Sequence, residues 1–517
     1  MKRVVDLPLF FLDARFSPMY NNVLFEMKKA RLREMSEEAE REGRRGEPRV
    51  AVLGAGITGL SAAKRVLERF PNAELKIWER ARRVGGVIGT RVVDGFLCEL
   101  SVDNFITTVP WGIDLCRELG FKEELTSTNN RFRRTFVVRN SRLYALPDGF
   151  MTMAPTKLYP MVTTPLLSPL GKLRCGLELL LPRRKSEEEE SLAAFAKRRL
   201  GKEAFDRIIE PLVGGIYGGD AAKLSLQATL PRFAQMEKDS RSLIWAMTKT
   251  QRAARRVKRE EESGARYSFF ITLSSGMQSL PERLADRVGR DKIELGRRAT
   301  RAERLDDGRW RLYDEEGRSE IFDLLLFATD SGAAADALKD SAKDVAAIYA
   351  QTDHTGVAIV HLAYRDDQIG RPVKGMGFVV PTSEGNGVIA GSFSSYKYPT
   401  RAPEGTTLLR VFVGGARAPE MVELEESELI RRVAEETRKL LAIRGEPVMV
   451  DVARFPNAMP QYYLGRLDWR KRLQDALDAQ PGLALAGSAL DGVGLPACVK
   501  SGYDAVDKLV KDWDARR

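Results

Sequence analysis

Cysteine and histidine are scarce in this chain: four Cys and two His among 517 residues. Cys98, Cys116, Cys175 and Cys498 form no C-x-x-C pair and no disulfide framework. They read as small apolar packing residues, and their spacing fits a reducing compartment. His354 and His361 lack metal-ligand spacing, which argues against a metal site and against a serine and histidine triad. Long apolar runs are missing as well. No stretch reaches the roughly 18 uninterrupted apolar residues of a spanning helix, and LPLFFL is too short for the core of a signal peptide. Asp6, Asp13 and the glutamates between Glu34 and Glu47 are foreign to an acid-poor mitochondrial presequence. The net charge of +11 could suit nucleic acid, an acidic membrane surface or an anionic substrate. No nucleic-acid motif accompanies it, so the last two are favoured. With so few reactive side chains, a bound cofactor must carry the chemistry.

What the chain does have is Arg49 to Thr90, RVAVLGAGITGLSAAKRVLERFPNAELKIWERARRVGGVIGT. The β-branched run Val50 to Leu53 leads into G-A-G-I-T-G, residues Gly54, Ala55, Gly56, Ile57, Thr58 and Gly59. That spacing at a strand-to-helix junction is a dinucleotide fingerprint: a tight turn at Gly54, backbone approach of a pyrophosphate at Gly56, and close helix packing at Gly59. A second strand, Leu75 to Trp78, ends at Glu79, 20 residues past Gly59, where an acid accepts the hydroxyls of an adenosine ribose, with Arg80 beside it. The following R-x-G-G-x-x-x-T, with Gly85, Gly86 and Val87, resembles the FAD-binding signature of amine oxidases, phytoene desaturases and protoporphyrinogen oxidases.

Further along, FLCELSVDNF resembles an E-L-G-P-x-x-F segment of the porphyrinogen oxidases that gives backbone contacts to FAD. The resemblance assigns those contacts to Ser101, Val102, Asp103 and Asn104, although Ser101 and Val102 replace Gly and Pro. The basic stretch NRFRRTFVVRNSRLYALP reads either as a solvated hairpin or as a carboxylate clamp, for which the planar Arg fork is suited. The resemblance puts a propionate-binding Arg at Arg134, with Arg133 and Arg131 behind it. Leu166, Leu170, Leu173, Leu177 and Leu180 form a stripe on a helix that also carries Lys172 and Arg174. Such a helix packs inward or lies in a membrane interface, and the pattern leaves both open. Glu187 to Glu190 marks a linker, and Arg252 to Lys258 a basic solvated helix.

The segment FDRIIEPLVGGIYGGDAAKLSLQATLPRF, with Pro211, Gly215, Tyr217, Gly219, Asp220 and Ser225, resembles protoporphyrinogen oxidases specifically. LSSGMQSLPERLA, KGMGFVVPTSEG and SYKYPTRAPEGTTLLRVFVGG resemble the same family. It implies an adenine contact at Ala299 and macrocycle-pocket walls at Met376 and Phe378, whose alternative is ordinary core. After MPQYYLG, the segment LALAGSALDGVGLPACVKSGYDAVDKL gives a second Gly-rich helix start. Its N-terminal amides could face the flavin ring, and the resemblance assigns flavin contacts to Val493, Gly494 and Leu495.

Together the matches cover most of the chain beyond Arg49 and identify it as resembling the oxygen-dependent protoporphyrinogen oxidases in their bacterial form. The fold class implied is α/β: a discontinuous FAD-binding Rossmann domain at 48–105, 269–335 and 450–517, a mixed-sheet substrate domain at 106–128 and 336–449, and an inserted helical domain at 129–245. Residues 1–47 are expected to form a charged helical extension, with a helix over Asn22 to Arg45. The implied reaction takes six electrons from protoporphyrinogen IX in three two-electron rounds. Hydride passes to flavin N5, O2 reoxidises the flavin to give hydrogen peroxide, and no side-chain base or metal is needed. Coproporphyrinogen III is the competing substrate, and its four propionates would favour extra pocket cations. Amine oxidase, carotenoid desaturase and a non-catalytic flavin or porphyrin carrier are the other readings. Expected partners are the porphyrinogen, O2, a peripheral membrane surface, and ferrochelatase or a second copy of the chain. A cytoplasmic location, on or off the inner face of the cell membrane, is implied.

Overall fold

The computed structural model describes residues 46–249, 269–385 and 387–517. The chain divides into two units, Met1–Pro48 and Arg49–Arg517, and every element below belongs to the second. The helices expected over Asn22 to Arg45 and over Arg252 to Lys258 lie outside the described residues.

Three short apolar runs, Arg49–Leu53, Leu324–Phe327 and Leu483–Leu485, are buried almost throughout, as strands covered on both faces must be. With Glu74–Glu79 and Ile293–Leu295 they form a parallel sheet in the order Ile293–Leu295, Glu74–Glu79, Arg49–Leu53, Leu324–Phe327, Leu483–Leu485. Side chains alternate between its faces. Val50, Val52, Leu324 and Leu326 pack under the helices Ile57–Arg69, Ser279–Val288 and Leu495–Asp514. Ala51, Leu53, Leu325 and Phe327 pack instead against Ser331–Leu338, Lys343–Tyr349, Arg466–Asp478 and a three-stranded antiparallel layer that contributes Trp310, Leu312 and Phe322. Because all five strands are parallel, their carboxyl ends share one edge, where ligands of open α/β sheets bind.

A seven-stranded sheet runs in the order Met449–Pro460, His354–Arg365, Thr406–Gly414, Val388–Phe393, Gly377–Val379, Thr135–Arg139, Arg142–Ala145. The basic stretch thus supplies its last two strands, with Phe136 registered on Phe378 and Val138 on Leu143. The boundaries expected at 129 and 449 move accordingly: the sheet takes residues 135–145 from the helical segment and 450–460 from the cofactor segment. One face is covered by the helix Glu426–Leu441 through Leu429, Val433 and Leu440. On the other, Val137, Val379 and Ala390 meet Val213 and Tyr217 of the helical segment.

The leucine stripe differs from its expected form. Leu166 is buried ahead of the helix Pro169–Gly176, which tightens into a 3-10 turn at Leu177–Leu179. The buried line of that helix is Gly171 and Cys175, continued by Glu178, while Leu170 and Leu180 are 78% and 72% exposed and Leu173 is 64% exposed. Glu178 faces inward because Arg199, itself fully buried, pairs with it, and the amides of Leu243 and Ile244 donate to its carboxylate. The polar anchor turns the leucines outward.

Candidate functional site

At the carboxyl edge of the parallel sheet, Gly54 adopts φ +101°, and a Cβ there would meet the Ala328 carbonyl at 2.8 Å. Its amide donates to the Trp78 carbonyl at 2.8 Å, and a Cβ on Gly59 would collide with the Gly54 carbonyl. These two glycines are required by the fold itself. Gly56 is different: φ is −72°, ψ is 176°, it caps the helix Ile57–Arg69 without a side chain, and a Cβ built there would find only Gly86 Cα, at 3.8 Å. A Cβ at Gly56 meets no clash within the protein, so what the glycine keeps open is room against the first helical amides. Gly85 donates to the Ala55 carbonyl at 2.8 Å, and Arg83 holds the second glycine loop through the carbonyls of Gly86 and Ile88 at 2.7 and 2.8 Å. Val87 stands at its exposed edge.

Glu79 is buried, and its carboxylate accepts from the amides of Ala55 at 2.7 Å and Ala81 at 2.8 Å. Each oxygen retains a second lone pair for a hydroxyl. Arg80 is exposed, 3.6 Å from Asp330. The chain reaching Ala299 runs beside them, since Arg297 and Gly296 donate to the carbonyls of Glu79 and Ala81, and Arg297 lies 3.6 Å over the Trp78 ring.

The second helix start has the same construction. Gly494 (φ −82°) caps Leu495–Asp514 without a side chain, and its Cβ would find nothing nearer than Pro496 Cδ at 3.9 Å. The two helices touch where a Cβ on Gly502 would meet the Thr58 carbonyl at 2.6 Å. Cys498 bonds Thr58 and lies 3.8 Å from the Gly492 carbonyl; burial pushes its thiol up to about 11. Ile57, Thr58, Val493 and Leu495 are therefore brought into one neighbourhood. Two uncapped helix N-termini, each fronted by a glycine that packing does not demand, fit a dinucleotide phosphate at one and a polar ring edge at the other.

Ser101 to Asn104 connects this cradle to the larger sheet. Ser101 donates to the Val87 carbonyl at 2.6 Å and its own carbonyl accepts from Arg410; Val102 packs against the helices. Asn104 and Lys397 donate to the Asp103 carboxylate at 2.9 and 2.8 Å. Burial alone would push that carboxyl up, but Lys397, Arg410 and Arg401 hold it well below the usual carboxylate range. Glu99 accepts from Arg401 at 2.8 Å, from the Met277 amide at 2.9 Å and from Thr90 at 2.7 Å. Sequence reasoning missed Lys397, Arg401 and Arg410. Their signal was present in SYKYPTR and LLRV, where bases stand among aromatic and apolar residues. Cys98, His361 and Asp451 also converge here, with ligand-type atoms within 4.8 Å of one another, far apart in sequence. Arg91 pairs with Asp451 and the charge of Arg410 bears on His361, so the trio already sits among cations.

Of the substrate candidates, Arg131, Arg133 and Arg134 are exposed, and their guanidiniums pair with no carboxylate among the described residues. The Arg134 carbonyl accepts from the Met376 amide at 2.8 Å, so the basic stretch and the half-buried Met376 are neighbours. Phe378 is set aside as a wall: it is 2% exposed and packs on Phe393, centroids 5.8 Å apart, in the core under Glu426–Leu441. The Pro211 to Ser225 motif docks on MPQYYLG. Gln461 donates to the Tyr217 carbonyl at 3.1 Å, Ser225 donates its amide to the Tyr462 carbonyl at 2.8 Å, and Gly219 leaves space for the Gln461 side chain.

Comparison with known proteins gives the family. The family model for flavin containing amine oxidoreductase matches residues 57–510. Coproporphyrinogen III oxidase of Bacillus subtilis (strain 168) is 34% identical over 467 residues, covering 89% of this chain and 97% of the relative. The chloroplastic protoporphyrinogen oxidase of Nicotiana tabacum is 29% identical over 485 residues, covering 89% and 84%. A solved structure from Exiguobacterium sp. 255-15, provisionally named a protoporphyrinogen oxidase, superimposes with a TM-score of 0.78 at 29% identity, covering 90% of this chain and 99% of that one. Cyclohexylamine oxidase from Brevibacterium oxydans shares the fold at 16% identity and a TM-score of 0.66. The chain belongs to the flavin-containing amine oxidoreductases, in their porphyrinogen oxidase branch, and is an FAD-dependent oxidoreductase.

Proposed function

We propose that this enzyme oxidises coproporphyrinogen III to coproporphyrin III with O2 as acceptor. The observation that carries this choice is the row of Arg131, Arg133 and Arg134, exposed and without a carboxylate partner among the described residues, with Arg134 next to Met376. A tetracarboxylate gains more from extra planar cations than a dicarboxylate does. The Bacillus subtilis relative and a Staphylococcus aureus relative at 31% identity bear the same name. FAD, when bound, supplies two-electron acceptance and return of those electrons to O2. The chain's own contribution is placement: Gly56 and Gly494 admit the cofactor to two helix N-termini, Glu79 takes the ribose, and the arginines orient the macrocycle by its carboxylates.

Protoporphyrinogen IX is the second reading, favoured by the tobacco relative. Steady-state kcat/KM on both porphyrinogens decides between them, and a higher value on protoporphyrinogen reverses the assignment. Adding porphyrinogen without oxygen bleaches the flavin absorbance of an oxidase. A carrier leaves it unchanged, and turnover of an amine without porphyrin fluorescence points to an amine oxidase. Arg134→Ala is expected to weaken substrate binding by about 1.5 to 3 kcal/mol, the scale of a charged hydrogen bond; unchanged KM and kcat remove Arg134 from the clamp. The outward leucines at 170, 173 and 180 are proposed to meet a membrane surface peripherally. No helix among the described residues is long and apolar enough to cross one.

A further inference from the structure

Arg466 opens the helix Arg466–Asp478, a position where the helix dipole opposes a cation, and it is only 7% exposed. No carboxylate lies within ion-pair distance of it among the described residues. Asp491, whose field reaches it, is taken by Arg470 at 3.1 Å and by Ser501 at 3.1 Å. Burial pushes the guanidinium down to about 10, which leaves it charged at neutral pH. Its plane lies 3.5 Å from the Trp469 ring centroid and 4.9 Å from that of Tyr462. A cation buried without a carboxylate partner is among the costlier arrangements in a protein interior.

Two of the groups that Arg466 touches lead to one loop. It donates to the Ala489 carbonyl; the Tyr462 hydroxyl donates to the Ser488 carbonyl and meets the Gly492 backbone. Gly492 in turn contacts Cys498, which bonds Thr58 of the fingerprint helix. The loop ends in Val493, Gly494 and Leu495. We infer that Arg466 is a positioning residue whose buried charge, set behind that loop, raises the electron affinity of the flavin ring. The inference rests on the reading of Val493 to Leu495 as ring contacts. FAD held at that loop would gain negative charge on its ring when reduced, and Arg466 would supply the countercharge from behind the loop.

The test uses purified holoenzyme carrying Arg466→Met, Arg466→Lys or Asp491→Asn, with FAD content and the two-electron midpoint potential read by absorbance against a redox dye. Arg466→Met is expected to lower the reduced-to-oxidised ratio at fixed dye potential about tenfold, about 30 mV for a two-electron couple. Arg466→Lys should stay near the parent. Asp491→Asn, which removes a neighbouring negative charge, should shift the ratio the opposite way. A Met variant with full FAD and parental potential overturns the inference, and so does a Lys variant shifted as far as Met. If the Met variant does not fold, the sign of the Asp491→Asn shift decides: no shift, or a fall, overturns it. Parent protein that binds no FAD overturns the functional reading as well, whereas FAD-loaded protein with insensitive potentials overturns only this inference.

Discussion

Gly56 and Gly59 look alike in the sequence and differ in what they do. Gly59 answers to the Gly54 carbonyl pressed against it, whereas Gly56 answers to nothing in the protein nearer than 3.8 Å. Gly56→Val is therefore expected to fold with a near-parental thermal midpoint and to lose FAD; a yellow, fully loaded variant would refute the cradle. His361 carries a pH prediction. Burial holds its imidazole below the usual value despite Asp451, so the fold favours the neutral ring. Its contribution is complete above the unfolded pKa of about 6.5 and is lost as pH falls through that value toward the folded one. The thermal midpoint should drop as pH falls below about 6.5, less steeply in His361→Gln. His354, also lowered by burial, leaves the remaining slope. Parallel curves for the two proteins would show that His361 contributes none of it. At this scale the sequence is legible where chemistry is written into a motif, as at Gly54 to Glu79. It is not legible where a common residue type chooses between core and cavity, as at Phe378, because that choice is made by the parity of a strand against neighbours hundreds of residues away.

Among elements, the helix Pro169–Gly176 shows how a pattern can be correct in period and silent in direction. Its spacing predicts a stripe, but the facing is decided by Glu178, drawn inward by Arg199. Nothing in a leucine repeat announces that a glutamate will be the buried residue. The strand Phe96–Glu99 and the segment after it are joined to the larger sheet by ions: Glu99 to Arg401 and Asp103 to Lys397. Both pairs are buried, so removing one partner strands the other. Arg401→Met is expected to cost about 3 to 5 kcal/mol in urea unfolding, and the double variant Arg401→Met with Glu99→Gln less than the single one. A double variant as weak as the sum of the two singles would argue that the residues act independently.

For the whole molecule, the α/β class and the discontinuous cofactor domain are visible in two glycine-rich helix starts separated by most of the chain. The domain boundaries are less so, because Thr135–Ala145 reads as a charged hairpin until Gly377–Val379 pairs with it. The outward leucines give a prediction at this scale. Leu170→Glu with Leu173→Glu should reduce co-sedimentation with anionic lipid vesicles and leave turnover of a soluble porphyrinogen unchanged. Equal sedimentation of variant and parent would assign that face to another partner or to none.

The contact between Gly502 and Thr58 sets a condition on biogenesis. A polypeptide still emerging from the ribosome possesses the phosphate turn long before the final helix exists, and loop closure over so great a separation is slow. A variant cut before Leu495 keeps that turn and loses the second helix start, so it is expected to meet the vitamin-derived coenzyme with half a grip and to come out of gel filtration colourless.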